Sequence, residues 1–168
     1  WFNEDNIDDN KSALGRYWNR YFLGTWNWDS GYLRQTGIIN SVFYYKHTAG
    51  SSNLWYHMAV TYDGTTIRYY VGGAMVGSAA ASGSLGFTTA PWHIGDDGNP
   101  ELYFKGVVDE VRIANTCFSS GWIQTYYRNI NSPSTFYTVG IQTTNSGVPP
   151  VISNEQPADT SLDTSFNP

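Results

Sequence analysis

A pair of tandem hairpins constrains this chain more than any other feature. Trp55 to Tyr62 is a run of strand-forming residues that stops at Asp63-Gly64 and resumes with Ile67, Tyr69 and Val71 at every second position. Asp-Gly between two β-patterned runs is a hairpin turn, because glycine supplies the positive φ that matches the twist of the flanking strands. Gly72-Gly73 then turns the chain back into Ala74 to Ser78, a second and shorter hairpin. Three successive antiparallel strands leave no room for the helical crossover that a parallel sheet needs.

Further short strands are expected on both sides. Before the hairpins, the pattern places them at Tyr17 to Leu23, Gly31 to Leu33 and Gly37 to Lys46, between Gly- and Asn-rich turns; after them comes Pro91 to Gly95. The turn Asp96 to Pro100 leads to Val107 to Ile113, and the last strand is expected at Thr135 to Gln142. Ser119 is a good helix N-cap, and Trp122, Ile123 and Tyr126 share a helical face, so one short surface helix is expected over 119–127. Only 14% of the 168 residues are charged, while Gly, Thr, Ser, Asn and Tyr are abundant, as suits strands joined by polar turns. Short strands, one helix and no βαβ unit make an all-β, two-sheet sandwich the expected fold.

Asp109 is the residue this pattern makes conspicuous. Side chains two apart on a strand share a face, so Asp109 falls in a row with Val107, Val111 and Ile113. An inward carboxylate must be paired, hydrogen-bonded or ligating a hard cation such as Ca²⁺, since burying it alone costs several kcal/mol. Three readings stay open: Asp109 bonds backbone amides or an arginine, it ligates calcium, or another register leaves it exposed. Asp96 and Asp97 in the neighbouring turn are the companion metal candidates. The acidic group Glu4, Asp5, Asp8 and Asp9 is a second cluster, but Ile7 stands where an EF-hand loop needs an oxygen.

Trp26, Trp28 and Tyr32 are the ligand-binding candidates. Flat aromatic faces on a sandwich rim suit stacking on sugar rings, and Trp26 and Trp28 flank Asn27 in a polar stretch. Aromatic residues at strand spacing are more often core, and that alternative is kept. Catalytic patterns are thin: there is no Gly-x-Ser-x-Gly, no His-Glu-x-x-His, and no strand carrying the paired glutamates of a sandwich glycosidase. His57 and His93 lie inside expected strands and read as packing residues. Cys117, the single cysteine, excludes an internal disulfide and reads as a small buried hydrophobe. A net charge of −5 with nine scattered basic residues argues against a nucleic-acid partner, and no apolar run approaches the ~20 residues of a membrane helix.

Four motifs in order, Leu54 to Gly64, Ile67 to Gly73, Trp92 to Gly95 and Phe104 to Ile113, resemble the concanavalin A-like, laminin G-like jelly-roll family. Within it they are most similar to the microbial laminin G-like modules of large secreted and surface proteins. The resemblance implies a jelly-roll sandwich over 1–142, incomplete at its N-terminus because such modules have strands before the one that Trp1-Phe2-Asn3 resembles. Residues 143–168 are expected to form an extended linker or tail, and Pro149 to Asp159 is similar to the opening of an immunoglobulin-like module. It also implies an open sheet edge, to be filled by the tail or by a neighbour.

The residue matching Asp109 in this family often lies near a calcium site. A structural Ca²⁺ is therefore implied, with co-ligands from loops or from the early strands. The resemblance points to a non-catalytic recognition or adhesion module, extracellular or at the cell surface, that binds a glycan or surface polymer. The alternative is a building block of a surface filament or layer, its partners being copies of itself joined by strand addition.

Overall fold

The computed structural model describes residues 1–7, 11–16, 21–25, 31–85, 89–96, 98 and 103–136. Among the described residues there are eleven strands: β1 (Phe2–Glu4), β2 (Ser12–Arg16), β3 (Tyr21–Thr25), β4 (Tyr32–Ile39), β5 (Val42–Ala49), β6 (Trp55–Tyr56), β7 (Met58–Tyr62), β8 (Thr66–Val71), β9 (Ala74–Ala80), β10 (His93–Ile94) and β11 (Gly106–Val108). Two helices follow, α1 (Ser120–Asn131) and α2 (Pro133–Phe136).

One layer is a five-stranded antiparallel sheet in the order β10-β2-β3-β4-β5. The other is built from β11-β1-β6 and β7-β8-β9. These two groups join, because β6 and β7 are consecutive about His57 and the Gly72 amide donates to the His57 carbonyl at 2.9 Å. The result is the two-sheet sandwich expected from the sequence.

The hairpin turns form as their residues dictate. Asp63 Oδ1 accepts from the Thr65 and Thr66 amides at 2.9 and 2.8 Å, its Oδ2 meets Arg68 at 2.6 Å, and Gly64 has φ +94°. Those donors, the Arg68 guanidinium first, hold the Asp63 carboxyl well below its usual range. Gly72 and Gly73, at φ +58° and +74°, close the β8–β9 turn. Between β4 and β5, Asn40 and Ser41 do the same at φ +48° and +64°. The expected strand from Gly37 to Lys46 is thus two strands, since Asn tolerates the left-handed region well enough to build a two-residue turn.

Side chains from both layers fill the interior. Phe2, Ile7, Ala13, Leu33 and Met58 form one buried cluster, and Ile39, Ile67, Tyr69 and Ala81 a second. Full burial of such a side chain is worth about 1.5–3 kcal/mol. A polar contact also crosses the layers: buried Gln35 donates its Nε2 to the Tyr70 carbonyl at 2.9 Å. The Tyr70 hydroxyl in turn lies 2.9 Å from Ser120 Oγ at the start of α1.

Ser119 caps α1 by accepting the Trp122 amide at 3.1 Å, as expected, and the helix runs four residues beyond the 119–127 span read from the sequence. The strand expected from Thr135 is interrupted at its start, where Pro133–Phe136 is helical; its remainder lies outside the described residues. Cys117 is exposed, a correction to the buried reading, because it sits in the irregular segment ahead of α1.

Beneath α1, buried His57 is enclosed by the rings of Trp1, Tyr126 and Tyr127, with centroids 5.3, 5.9 and 5.7 Å away. Burial, then repulsion from the amino terminus, lowers its pKa from 6.5 to about 4. The folded state therefore resists a proton that the unfolded chain accepts. Unfolding free energy should rise between pH 4 and 6.5, reach its full His57 contribution above that window, and lose it as pH falls through it. Denaturant unfolding across this range should show a shallower slope in His57→Phe than in the parent; identical slopes would remove His57 as the source.

Candidate functional site

Alternation along β4 and β5 gives the five-stranded sheet two different faces. Leu33, Gln35, Gly37 and Ile39 point toward the other layer, where the Ile67 Cδ1 packs so closely on Gly37 that a Cβ there would lie 3.1 Å from it. Tyr32, Arg34, Thr36 and Ile38 occupy the opposite face, paired across the strand with Ala49, His47, Tyr45 and Phe43. On this outer face Arg34, Thr36 and Ile38 are nonetheless buried, while Tyr32, Phe43 and Tyr45 are 41%, 45% and 58% exposed.

Those rings are held in a group. Tyr45 and Tyr32 flank His47, with centroid separations of 5.3 and 6.4 Å, and the Arg34 guanidinium carbon sits 5.6 Å from the Tyr45 ring centre. A cation over an aromatic face fixes ring orientation and contributes about 0.5–1 kcal/mol when exposed. The outer face thus offers apolar ring surfaces and two phenolic hydroxyls on a rigid backbone. That combination suits a flat, hydroxyl-rich ligand that needs stacking and hydrogen bonds together.

Of the candidate ligand residues, Tyr32 is in this group, and Trp26 and Trp28 lie outside the described residues. Phe43 and Tyr45 fall inside the span 37–46 expected to be one strand and His47 just beyond it, so that expectation hides the turn that sets them beside β4. The clue was Asn40-Ser41 within that run.

The metal candidates are placed as follows. Asp109 is exposed, and so are Val107 and Ile113 at 57% and 54%. The pairing of Phe2 with Val108 explains this: buried Phe2 draws Val108 to the interior, so Asp109 faces outward. The expected strand 107–113 ends at Val108, and Glu110 breaks regular geometry with φ +51°. Asp109 Oδ1 accepts the Glu110 amide at 2.8 Å. Asp96 Oδ1 accepts the Gly98 amide at 2.7 Å and lies 2.7 Å from His93 Nδ1; Asp97 is outside the described residues. Among the described residues no group of three or more His, Cys, Asp or Glu side chains is close enough to hold a metal ion.

Glu110 is committed to its neighbours. Its Oε2 accepts the Tyr126 hydroxyl at 2.7 Å and meets Arg112 at 3.1 Å. The hydrogen bond from Tyr126, then that from Arg112, lowers its pKa below the usual carboxylate range.

A family model described as the concanavalin A-like lectin/glucanases superfamily matches residues 1–124, and the chain belongs to this superfamily. A crystal structure named "putative carbohydrate binding protein", from Bacteroides ovatus ATCC 8483, superposes with a TM-score of 0.61 at 20% identity. The match covers 84% of this chain and 40% of that one, so the chain spans about two fifths of that protein's length. An S-layer domain-containing protein from Clostridium thermocellum ATCC 27405 aligns over 76% of this chain and 66% of its own, at 22% identity and a TM-score of 0.42. No curated protein matches the sequence.

Phe43 and Tyr45 are 45% and 58% exposed, whereas Leu33 is fully buried. Phe43→Ala and Tyr45→Ala should each lie within about 1 kcal/mol of the parent in denaturant unfolding, whereas Leu33→Ala on the inner face should cost about 2–5 kcal/mol. Equal losses on both faces would show the rings to be structural.

Proposed function

We propose that this chain is a non-catalytic recognition module, acting at the cell surface or outside the cell, that binds a glycan or surface polymer on the outer face of its five-stranded sheet. The exposed rings of Tyr32, Phe43 and Tyr45, with half-buried His47 between Tyr32 and Tyr45, carry this reading, because rings on neighbouring strands present a stacking platform with little entropy left to lose on binding. The superfamily includes lectins, and the Bacteroides ovatus structure carries a carbohydrate-binding name, which agrees with this assignment. Among the described residues no helix is long and apolar enough to cross a membrane.

The superfamily also includes glucanases, and the glutamate nearest the family motif speaks against that chemistry. A glycosidase acid must keep its proton near neutral pH, which requires a raised pKa. Glu110 is shifted the other way, and its Oε2 accepts from both Tyr126 and Arg112.

Pull-down on insoluble cellulose, chitin, xylan and peptidoglycan, followed by calorimetry with soluble oligosaccharides of the retained polymer, tests the reading. The parent should bind, and the Tyr32→Ala, Tyr45→Ala double variant should bind about tenfold or more weakly at an unchanged Tm. Binding that survives the double variant would move the site elsewhere, and release of reducing sugar would make the protein an enzyme.

For calcium, the committed Asp96 and Asp109 contacts set the expectation. EDTA should leave Tm where it is, since a native-state ligand stabilises by mass action and its removal would lower Tm. A fall of several degrees that added Ca²⁺ reverses would restore a structural ion, with Asp97 as the first residue to substitute.

A further inference from the structure

On one side of the sandwich both layers end in a strand with an open edge. Among the described residues β5 stands last in its sheet beside β4, and β9 stands last beside β8. The two strands meet across the interior, where Lys46 of β5 packs against Gly77 of β9. An open edge is a row of amides and carbonyls with which another chain can pair, and proteins blunt such edges with bulges, prolines or charges. β9 has a bulge: Tyr69 pairs with Gly77 and Tyr70 with Met75, which leaves Val76 without a partner residue.

β5 has no such break. Its eight residues, Val-Phe-Tyr-Tyr-Lys-His-Thr-Ala, pair with β4 in one continuous register and include neither proline nor carboxylate. Counting from Ile39 and Val42, the hydrogen-bonded pair that closes the two-residue turn, the amides of Phe43, Tyr45 and His47 point away from β4. A run of strand formers with low charge and a free edge is a template for a second copy of itself.

Lys46 lies within that run and faces inward. It is paired with Gln35, an inner-face residue, so its side chain enters the space between the layers. There the stem reaches β9 and lies on Gly77, where a built Cβ would be 3.2 Å from Cδ and 3.4 Å from Cε. Glycine inside a strand weakens it, and Gly77 has no positive φ that would call for one; room for the Lys46 stem accounts for it. Lys46 is half-buried, with its apolar stem covered and its ammonium left to water at the open side.

Among the described residues no carboxylate and no hydrogen-bond acceptor meets that ammonium. The sequence holds no Asp or Glu between Asp29 and Asp63, so β4, β5 and β7 bring none to it. A strand laid along β5 would take water from the ammonium without supplying a partner. A second copy of β5 would add another ammonium instead of a carboxylate, and burying unpaired like charges is strongly unfavourable.

We propose that Lys46 keeps this protein from pairing with itself: its ammonium, propped on Gly77 between the open edges of β5 and β9, bars a second copy from adding a strand to β5. Without that charge the β5 edge is a homodimer interface. The proposed ligand site occupies the opposite face of the same strand and takes no part in this.

The test compares the full chain with Lys46→Met and Lys46→Gln, which lose the charge but keep a stem over Gly77, and with Lys46→Arg, which keeps both. The parent and Lys46→Arg should sediment as monomers up to about 100 μM, whereas the two uncharged variants should self-associate about tenfold or more tightly. In those variants amide exchange at Phe43, Tyr45 and His47 should slow about tenfold or more as concentration rises. Uncharged variants that stay monomeric, or that associate with these amides exchanging as fast as in the parent, would overturn the proposal. A parent that already dimerises with these amides protected would overturn it too.

Discussion

The structure depends on β1 being paired on both edges. Phe2 and Asn3 pair with β6 and all three of its residues with β11, and among the described residues no other element joins these strands into one sheet. Phe2 reaches into the cluster that includes Leu33 and Met58, so the strand that knits one layer also fixes that layer against the other. Glu4, equally buried, accepts the Thr25 hydroxyl from β3 at 3.1 Å and adds a directional contact between layers. Gly106 shows how close the pairing is, since a side chain there would run into the Asn3 carbonyl. At that position only glycine lets the two backbones meet.

From this centre the polar contacts run outward in one line. Gln35 in the five-stranded sheet holds the Tyr70 carbonyl, and the Tyr70 hydroxyl meets Ser120 at the first turn of α1. The helix therefore reports on both layers, and His57 beneath it is walled by rings from β1's end and from the helix. Neutral His57 is compatible with that enclosure and a charged one is not, which couples the packing of α1 to protonation.

What could be read from the sequence was what short-range chemistry decides. Asp63-Gly64 and Gly72-Gly73 give their turns away because few residues adopt positive φ, and Ser119 gives away the helix start because its side chain satisfies an orphan amide. Facing was harder. Whether Asp109 points inward depends on Phe2 pairing with Val108, residues more than a hundred positions apart, and periodicity fixes a stripe without saying which side is the interior. The same gap hid the outer cluster: Tyr32 was a candidate from its own surroundings, but Tyr45 and His47 join it only through the turn at Asn40-Ser41 and the cross-strand register that follows.

One strand, β4, carries both consequences of this architecture. Its inner residues, Gly37 among them, face the other layer, and its outer residues, Tyr32 and Arg34, belong to the aromatic face. Side chains on the two faces never touch, because the backbone lies between them. The outer rings are nevertheless held by a sheet whose rigidity comes from what packs beneath it. A ligand on the outer face gains from preorganisation that the interior supplies. The face that sets stability and the face proposed to set recognition are therefore separable by substitution even though they share a backbone.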